Sequence, residues 1–427
     1  MRVLALLVSA MLVMGAAASP TDALLPEDVP LRETGVVTMV NDGDTFRMIP
    51  DGQAAFVSVR LIGVNAPEVA GFQNKLHPHD FCGGPQAYRE LQRLLPPGTG
   101  VQMRSMDAAS SNRGRLRRAV FAFNPQTQMY DINIAAELAK SGWVTWFETE
   151  DEPEFAALYR RLVDQAQAAQ IGIWNPGVCG PIEQDGARLT LSVHWDAPGN
   201  DAANLNGEYV IVRNAGTSTV DISGWLLRDS ALDSWFTMPG GTVLTPGDYR
   251  VVHVGSGTPS LPNPRDLYMN SPIPLFPNTR ADVFLGDSAY LLDRNTAYRA
   301  WTQYPCLDDC QSDPAKGILR ITEVRRTPSG STANARANSQ IVLIKNTGRR
   351  PMLLDDYYLR RQLSTFSFVP GTVLKPGATI RVHVGRGRPT ATDQYWGLSA
   401  PLFSVRGDLV DLRSVRDVLV SRKAWGD

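Results

Sequence analysis

Residues 35–68 read GVVTMVNDGDTFRMIPDGQAAFVSVRLIGVNAPE, and this stretch decides the fold of the first part of the chain. Its β-branched and aromatic residues favour strands at residues 35–40, 45–49 and 56–64. The sequence Asn41-Asp-Gly-Asp44 joins the first two runs, and Asp-Gly at such a position is typical of a hairpin turn. We therefore expect a small barrel or sheet here.

Helical signals follow these strands. Gly84-Pro85 begins a predicted helix that ends at Leu95, before two prolines. Asp131 is the predicted N-cap of a second helix, and Pro153 opens a third. Strands followed by helices predict an α+β domain over residues 33–178.

The second half of the 427 residues predicts all-β structure, with short strands between Gly and Pro turns. It also contains an internal repeat. GTVLTPG at 241–247 matches GTVLKPG at 371–377, and VHVG at 252–255 matches VHVG at 382–385, both 130 residues apart. We expect two sandwiches, residues 185–305 and 317–427.

Charge is distributed unevenly along the chain, although the formal net charge is only -1. Residues 181–310 carry 8 basic and 15 acidic groups, whereas residues 311–427 carry 19 and 9. A basic terminal domain predicts a polyanionic partner, such as nucleic acid or a cell-surface ligand. The composition excludes collagen, a coiled coil and wholesale disorder.

The amino terminus has the pattern of an export signal. Residues 1–19 contain Arg2, an apolar run from Val3 to Met14 and a small-residue segment that predicts cleavage near Ala18. We expect a secreted or periplasmic monomer without a transmembrane segment in the mature chain. The alternative is a membrane anchor, for which the apolar run is short.

The four cysteines fit an oxidising compartment. Their spacing favours disulfides Cys82–Cys179 and Cys306–Cys310, although four cysteines allow three pairings. The alternative, a zinc site from all four, lacks paired CxxC spacing.

Residues suited to catalysis are concentrated in the first domain. Asp42 and Asp44 lie in the hairpin turn, Arg60 in a strand, Glu68 on a rigid loop, and several arginines between 113 and 118. Carboxylates suit a hard divalent cation, arginines hold phosphate, and a carboxylate can take a proton from water. The alternative is an ordinary turn with a solvated charged face.

Residues 36–175 resemble the staphylococcal nuclease (thermonuclease) family. The matching segments are VNDGDTF at 40–46, VRLIGVNAPE at 59–68, RGRL at 113–116, AKSGW at 139–143 and GIW at 172–174. The resemblance implies an OB-fold barrel and calcium-dependent cleavage of DNA and RNA.

The resemblance also implies a calcium site. Asp44 and Asn65 are the implied side-chain ligands, the Ala66 carbonyl is a third, and Asp42 supports the site from outside. The family usually has Asp where this chain has Asn65, so one negative charge is missing and weaker calcium binding is expected.

The implied catalytic residues are Arg60, Arg115 and Glu68. Both arginines would bind the phosphate, and Glu68 would activate the attacking water. The positions that stack a base in the family fall near Glu148 and Glu150, whose charge disfavours nucleic acid.

Two further clusters of polar residues have alternative interpretations. His77, His79, Asp80 and Cys82 lie close in sequence, but a disulfide explains Cys82 better than a transition metal does. Six arginines of the last domain could bind a phosphate backbone or form an inert cationic face; they are Arg349, Arg350, Arg360, Arg361, Arg386 and Arg388. The interleaved aromatics Tyr357, Tyr358, Tyr395 and Trp396 are expected mostly in the core.

The two repeats resemble the lamin tail domain family, which implies immunoglobulin-like sandwiches without catalysis. The segments that carry the resemblance are EYVIVRNAG at 208–216, VDISGWLLRD at 220–229 and QIVLIKNTG at 340–348. Such modules imply accessory binding or tethering.

The sequence thus predicts an α+β OB-fold nuclease-like barrel followed by two immunoglobulin-like β-sandwiches. The predicted function is a secreted calcium-dependent nuclease acting on DNA or RNA. The alternative is a non-catalytic extracytoplasmic nucleic-acid-binding or scaffold protein with a degenerate nuclease-like domain.

Overall fold

The computed structural model describes most of the chain after residue 30. The described residues are 31–70, 79–149, 152–181, 186–231, 235–259, 264–278, 286–306 and 313–426. The predicted signal sequence, His77, Glu150 and Cys310 lie outside them.

The first domain is built around a closed five-stranded barrel. The domain has nine strands in the described residues, five of which form the barrel: β1 (Leu31–Asp42), β2 (Thr45–Pro50), β3 (Val57–Leu61), β4 (Val64–Asn65), β5 (Gly100–Ser105), β6 (Ser111–Asn112), β7 (Arg115–Asn124), β8 (Met129–Asn133) and β9 (Thr145–Trp146). Strands β3, β2, β1, β5 and β7 pair in that order, and the parallel β3–β7 pairing closes the ring. The expected barrel is confirmed at the level of an OB-like fold.

Three helices cover the barrel: α1 (Gly84–Leu94), α2 (Ile134–Lys140) and α3 (Ala156–Ala168). The prediction of Asp131 as the N-cap of α2 is wrong. Asp131 lies in β8 and accepts a hydrogen bond from the Thr127 hydroxyl at 2.8 Å. Asn133 is the cap, because its side-chain oxygen accepts from the Ala136 N–H at 3.1 Å.

The Cys82–Cys179 disulfide is confirmed. It ties the loop before α1 to the end of the first domain. Cys306 is also disulfide-bonded.

The second half consists of two sandwiches with the same topology, here named repeat 1 and repeat 2. Repeat 1 contains β10 (Leu189–His194), β11 (Tyr209–Asn214), β12 (Val220–Asp221), β13 (Leu226–Arg228), β14 (Trp235–Thr237), β15 (Val243–Leu244), β16 (Tyr249–His253), β17 (Asp266–Tyr268), β18 (Asp287–Leu292) and β19 (Tyr298–Tyr304). Repeat 2 contains β20 (Leu319–Arg325), α4 (Ala333–Asn338), β21 (Ile341–Asn346), β22 (Met352–Leu353), β23 (Tyr357–Arg361), β24 (Ser364–Ser367), β25 (Val373–Leu374), β26 (Thr379–His383), β27 (Asp393–Tyr395), β28 (Asp408–Ser414) and β29 (Leu419–Trp425).

The two repeats share their strand pairings. The sheet β10-β11-β16-β17 corresponds to β20-β21-β26-β27, and β14-β13-β18-β19 corresponds to β24-β23-β28-β29. The prediction of two β-rich repeats is confirmed, although repeat 2 also contains the short helix α4.

Repeat 1 packs closely on the first domain. The Trp174 ring lies 5.1 Å from the Tyr298 ring and 5.0 Å from the Trp301 ring, measured between centroids. The Tyr298 N–H also donates to the Cys179 carbonyl at 2.7 Å. Since Trp174 and Tyr298 are fully buried, the first domain and repeat 1 share one hydrophobic core.

Repeat 2 packs on repeat 1 in turn. The Trp195 and Tyr358 rings meet edge to face with centroids 5.9 Å apart, and the Trp195 indole N–H donates to the Val415 carbonyl at 2.9 Å. None of the helices in the described ranges is long and apolar enough to span a membrane.

One buried position distinguishes the two sandwiches. In repeat 2 the Gln340 side-chain oxygen accepts from the Leu402 and Phe403 N–H groups, and its NH₂ group donates to the Phe403 carbonyl. In repeat 1 Glu208 accepts from the equivalent Leu275 and Phe276 N–H groups, but its other oxygen, Oε1, has no partner among the described residues. Burial raises the pKa of Glu208 to about 7.

We expect Glu208→Gln to stabilise the protein at pH 8. The Glu208 pKa rises from 4.5 unfolded to about 7 folded, so its contribution to stability is complete below pH 4.5 and is lost as the pH rises to about 7. The shift corresponds to about 3 kcal/mol. Urea unfolding of wild type and variant at pH 4.5 and pH 8 measures the difference. The reciprocal variant Gln340→Glu should lose stability at pH 8, and equal pH profiles for all three proteins would contradict the argument.

Candidate functional site

The candidate site begins at the β1–β2 turn. Asp42 pairs with Thr45 across the hairpin, which leaves Gly43 and Asp44 at the tip. A Cβ on Gly43 would lie 2.6 Å from the Ala66 Cβ, so only glycine lets this turn approach the loop after β4. The Asp-Gly sequence thus brings the turn against the Asn65–Ala66 segment.

Asp44 fixes this segment through its carboxylate. One oxygen accepts from the Ala66 N–H at 2.7 Å and the other from the Thr45 hydroxyl at 3.0 Å. The first oxygen also lies 3.2 Å from an Arg60 guanidinium nitrogen. Asp44 is 5% exposed, so its charge is stabilised by these groups rather than by water.

Arg60 points into the protein. Its Nη1 donates to the Leu61 and Val64 carbonyls at 2.9 and 2.7 Å, and its Nη2 donates to the Asn65 side-chain oxygen. The Phe147 ring centroid lies 5.7 Å from the guanidinium carbon. Protein groups therefore already engage both Nη nitrogens of Arg60, which the resemblance implies as a phosphate ligand.

Arg115 is less firmly held. It begins β7, is half-buried, and makes three long hydrogen bonds: to the Thr45 hydroxyl at 3.4 Å, and to the backbone and side-chain oxygens of Asn112 at 3.4 and 3.3 Å. Burial, followed by the charge of Arg60, lowers the pKa of Arg115. Its guanidinium can exchange these weak bonds for a phosphate at modest cost.

Three carboxyl groups come close together at this end of the barrel. Burial, followed by the charges of Asp44 and Glu68, raises the pKa of Asp42 to about 8. Glu68 is placed by the disulfide-bonded loop, because its carbonyl accepts from the Phe81 N–H at 2.9 Å, next to Cys82. The predicted residues Asp42, Asp44 and Glu68 thus share one electrostatic environment.

Repeat 1 closes one side of the site. The Asn65 side-chain NH₂ donates to the Ser230 carbonyl at the end of β13, and Asn65 is 2% exposed. An Asp at this position could not donate this bond. The contact gives a structural reason for Asn65 where the nuclease family usually has Asp.

The implied calcium ligands do not fit a cation in this arrangement. The Arg60 Nη2 nitrogen faces both Asp44 Oδ2 and Asn65 Oδ1, the two oxygens expected to hold calcium. The same Asp44 oxygen also accepts from the Ala66 N–H at 2.7 Å. Across the described ranges no three His, Cys, Asp or Glu side chains form a metal-binding group.

The structure does not bring the residues of the other predicted clusters together into sites. Cys82 is in a disulfide, which removes it from the histidine cluster, and His79 and Asp80 are exposed. Near Arg60 the aromatic ring is Phe147, one residue before Glu148. Tyr357, Tyr358 and Trp396 are buried as expected, and Tyr395 stacks on His383.

The six arginines of repeat 2 do not form one patch. Arg349 and Arg350 follow β21, whereas Arg386 and Arg388 follow β26, and the antiparallel pairing of these strands places the two pairs at opposite ends of the sheet. Arg360 and Arg361 form ion pairs with Asp417 and Asp408, respectively.

An OB-like barrel carrying a polar site, followed by two immunoglobulin-like sandwiches, defines a modular protein of the β class. The Lamin Tail Domain family model matches residues 184–305 and 312–427, more than half of the chain. The chain therefore belongs to the lamin tail domain family. No nuclease-like family match supports the resemblance of the first domain. No curated protein matches the chain.

We expect Asp44→Ala to lower the free energy of unfolding by about 3 kcal/mol, because it leaves the buried Arg60 charge and the Ala66 N–H without their partner. Chemical unfolding followed by circular dichroism measures the loss. Asp51→Ala is the control, since Asp51 bonds the Thr34 hydroxyl at the surface. Equal stability of the two variants would show that the buried ion pair contributes little.

Asn65→Asp should weaken the contact with repeat 1, because a carboxylate repels the Ser230 carbonyl, and should strengthen calcium binding through its added charge. The expected result is a lower melting temperature without calcium and a larger calcium-induced increase than in wild type. Asn124→Asp, which keeps an acceptor for the Gln126 N–H, is the control. A full calcium shift already present in wild type would contradict the observed Arg60 arrangement.

Proposed function

We propose that the first domain is an exported nuclease that hydrolyses phosphodiester bonds of DNA or RNA. The observation that supports this proposal best is the convergence of Asp44, Arg60, Glu68 and Arg115 at one end of the barrel. Arg115 donates to the Thr45 hydroxyl at 3.4 Å, that hydroxyl donates to Asp44 at 3.0 Å, and Asp44 lies 3.2 Å from Arg60. The charges of Arg60, Asp44 and Glu68 also act on the pKa of Arg115. The disulfide is compatible with an extracytoplasmic location.

In the proposed reaction Arg115 binds a phosphate oxygen first, since its present hydrogen bonds are long. Its positive charge stabilises the negative charge that develops on the phosphate in the transition state. Glu68 accepts a proton from the attacking water, whose oxygen bonds to phosphorus as the bond from phosphorus to the leaving sugar oxygen breaks. The leaving oxygen then takes a proton from solvent. Arg60 adds a second guanidinium only after it releases the Asn65 oxygen.

Calcium dependence is part of the proposal through the resemblance alone. A bound calcium ion would supply further charge stabilisation. Because Arg60 faces the oxygens of Asp44 and Asn65, no step of the reaction is assigned to the ion.

The second candidate function is a non-catalytic nucleic-acid-binding or scaffold protein. The contact of Asn65 with Ser230 favours it, because repeat 1 covers the site, and Arg60 and Asn65 are only 9% and 2% exposed. In both proposals the repeats are accessory domains for binding or tethering.

A digestion assay separates the two functions. The full chain is incubated with single-stranded DNA and with RNA, with calcium and with chelator. We expect Glu68→Gln to slow cleavage by about 100-fold or more, which is the contribution typical of a general base. Arg93→Gln, at an exposed ion pair with Glu90 on α1, should cleave like wild type.

The outcome decides between the candidates. If wild type does not cleave, or if wild type and Glu68→Gln cleave equally fast, the enzyme proposal fails. Retention of nucleic acid without cleavage would then support the binding function.

A further inference from the structure

The hairpin formed by β23 and β24 in repeat 2 has an exposed leucine in its turn. Strands β23 and β24 pair from Tyr358↔Ser367 to Arg361↔Ser364, so Gln362 and Leu363 form a two-residue turn. Gln362 has a φ of 52°, and such turns ordinarily contain Asn, Asp or Gly. Leu363 is instead 87% exposed, more than any other large hydrophobic residue among those described.

A second apolar loop lies beside this turn. Arg361 forms an ion pair with Asp408 at 3.0 Å, and the same carboxylate accepts from the Ser404 N–H at 3.0 Å. This pair of contacts holds the loop before β28 against the hairpin. The loop exposes 47% of Val405, and the adjacent strand exposes 37% of Leu409.

Unpaired cations surround these side chains. Arg406 and Lys423 are exposed, and neither forms an ion pair with any described residue. Lys423 pairs with Val410 on the neighbouring strand, so it lies at the same end of the sheet as Leu409 but on the opposite face. We name Leu363, Val405, Arg406, Leu409 and Lys423 together the basic tip.

No described segment of the chain covers the basic tip. In repeat 1 the segment after β13 contacts the first domain through the Ser230 carbonyl and Asn65. In repeat 2 the contact with repeat 1 reaches Thr365, whose hydroxyl donates to the Asp196 carbonyl at 3.2 Å. Leu363 lies two residues beyond that contact, at the free end.

We propose that the basic tip docks on the surface of an anionic lipid membrane. Aliphatic side chains at a loop tip insert among acyl chains, and neighbouring cations are attracted to anionic headgroups. The excess of basic residues in 311–427, 19 against 9 acidic, gives the charge complementarity. Nucleic acid is the less suitable partner, because its phosphates gain nothing from exposed leucine and valine, and single strands prefer flat aromatic surfaces.

The test uses the full chain and vesicles of phosphatidylcholine with or without phosphatidylserine, separated by flotation. We expect binding to the anionic vesicles alone, and a decrease in bound fraction at high salt. Leu363→Glu should lower the partition coefficient at least about tenfold, and Arg406→Glu should lower it by a smaller factor. Ile273→Glu is the matched control, since Ile273 is 60% exposed on repeat 1. Circular dichroism checks that all variants fold.

Several results would overturn the proposal. One is absence of binding to phosphatidylserine vesicles, and another is equal binding by Leu363→Glu and Ile273→Glu. A third is retention of single-stranded DNA that depends on Arg406 and Lys423 without vesicle binding, which would make the surface a nucleic-acid interface. Because the assay involves no cleavage, its result is independent of the nuclease proposal.

Discussion

The ion pair between Asp44 and Arg60 organises the first domain and its junction with repeat 1. Both charges are buried, so each must find polar partners within the protein. Asp44 accepts a hydrogen bond from the Ala66 backbone, and Arg60 donates to the Val64 carbonyl in β4, the strand before Ala66. The Asn65 side chain lies between Arg60 and the Ser230 carbonyl and bonds both. A single polar cluster thereby sets the hairpin turn, the loop that bears Glu68 and the position of the following domain.

The same cluster shows what phosphate chemistry requires of this site. Both Nη nitrogens of Arg60 already bond Leu61, Val64 and Asn65, so binding a phosphate through them requires the loss of existing bonds. The hydrogen bonds of Arg115 given above are long and weak, so Arg115 loses less free energy than Arg60 when it exchanges them for a phosphate. Burial, together with repulsion from Asp44 and Glu68, raises the pKa of Asp42 to about 8, so this carboxyl is mostly neutral near pH 7 and leaves Asp44 and Glu68 to balance the arginines. The hydrogen bonds of Arg60 to the protein therefore stabilise the first domain, but the same bonds oppose the binding of a phosphate by Arg60.

The sequence predicted those features whose determinants are local or repeated. The Asp-Gly turn, helix α1, the Cys82–Cys179 disulfide and the two sandwiches follow from turn chemistry, cysteine spacing and the internal repeat. The bond from Asn65 to Ser230 joins residues 165 positions apart, and no local pattern encodes it. The arginines of repeat 2 were grouped by sequence, whereas strand register places them at opposite ends of a sheet. The choice of Asn133 over Asp131 as a cap was decided by where β8 ends.

The two repeats show how one fold serves two environments. Tyr290 is paired with Trp301 on neighbouring strands of repeat 1, and Asp411 is paired with Arg422 at the equivalent positions of repeat 2. The aromatic pair lies against Trp174 and is covered by the first domain. In the equivalent pair of repeat 2, Arg422 is exposed and donates two short hydrogen bonds, of 2.6 and 2.7 Å, to the buried Asp411. Apolar rings gain from burial only where a neighbouring domain excludes water, whereas a charged pair keeps an open face hydrated. The backbone pairings are conserved between the repeats, and the side chains of this one face determine which repeat is covered by another domain.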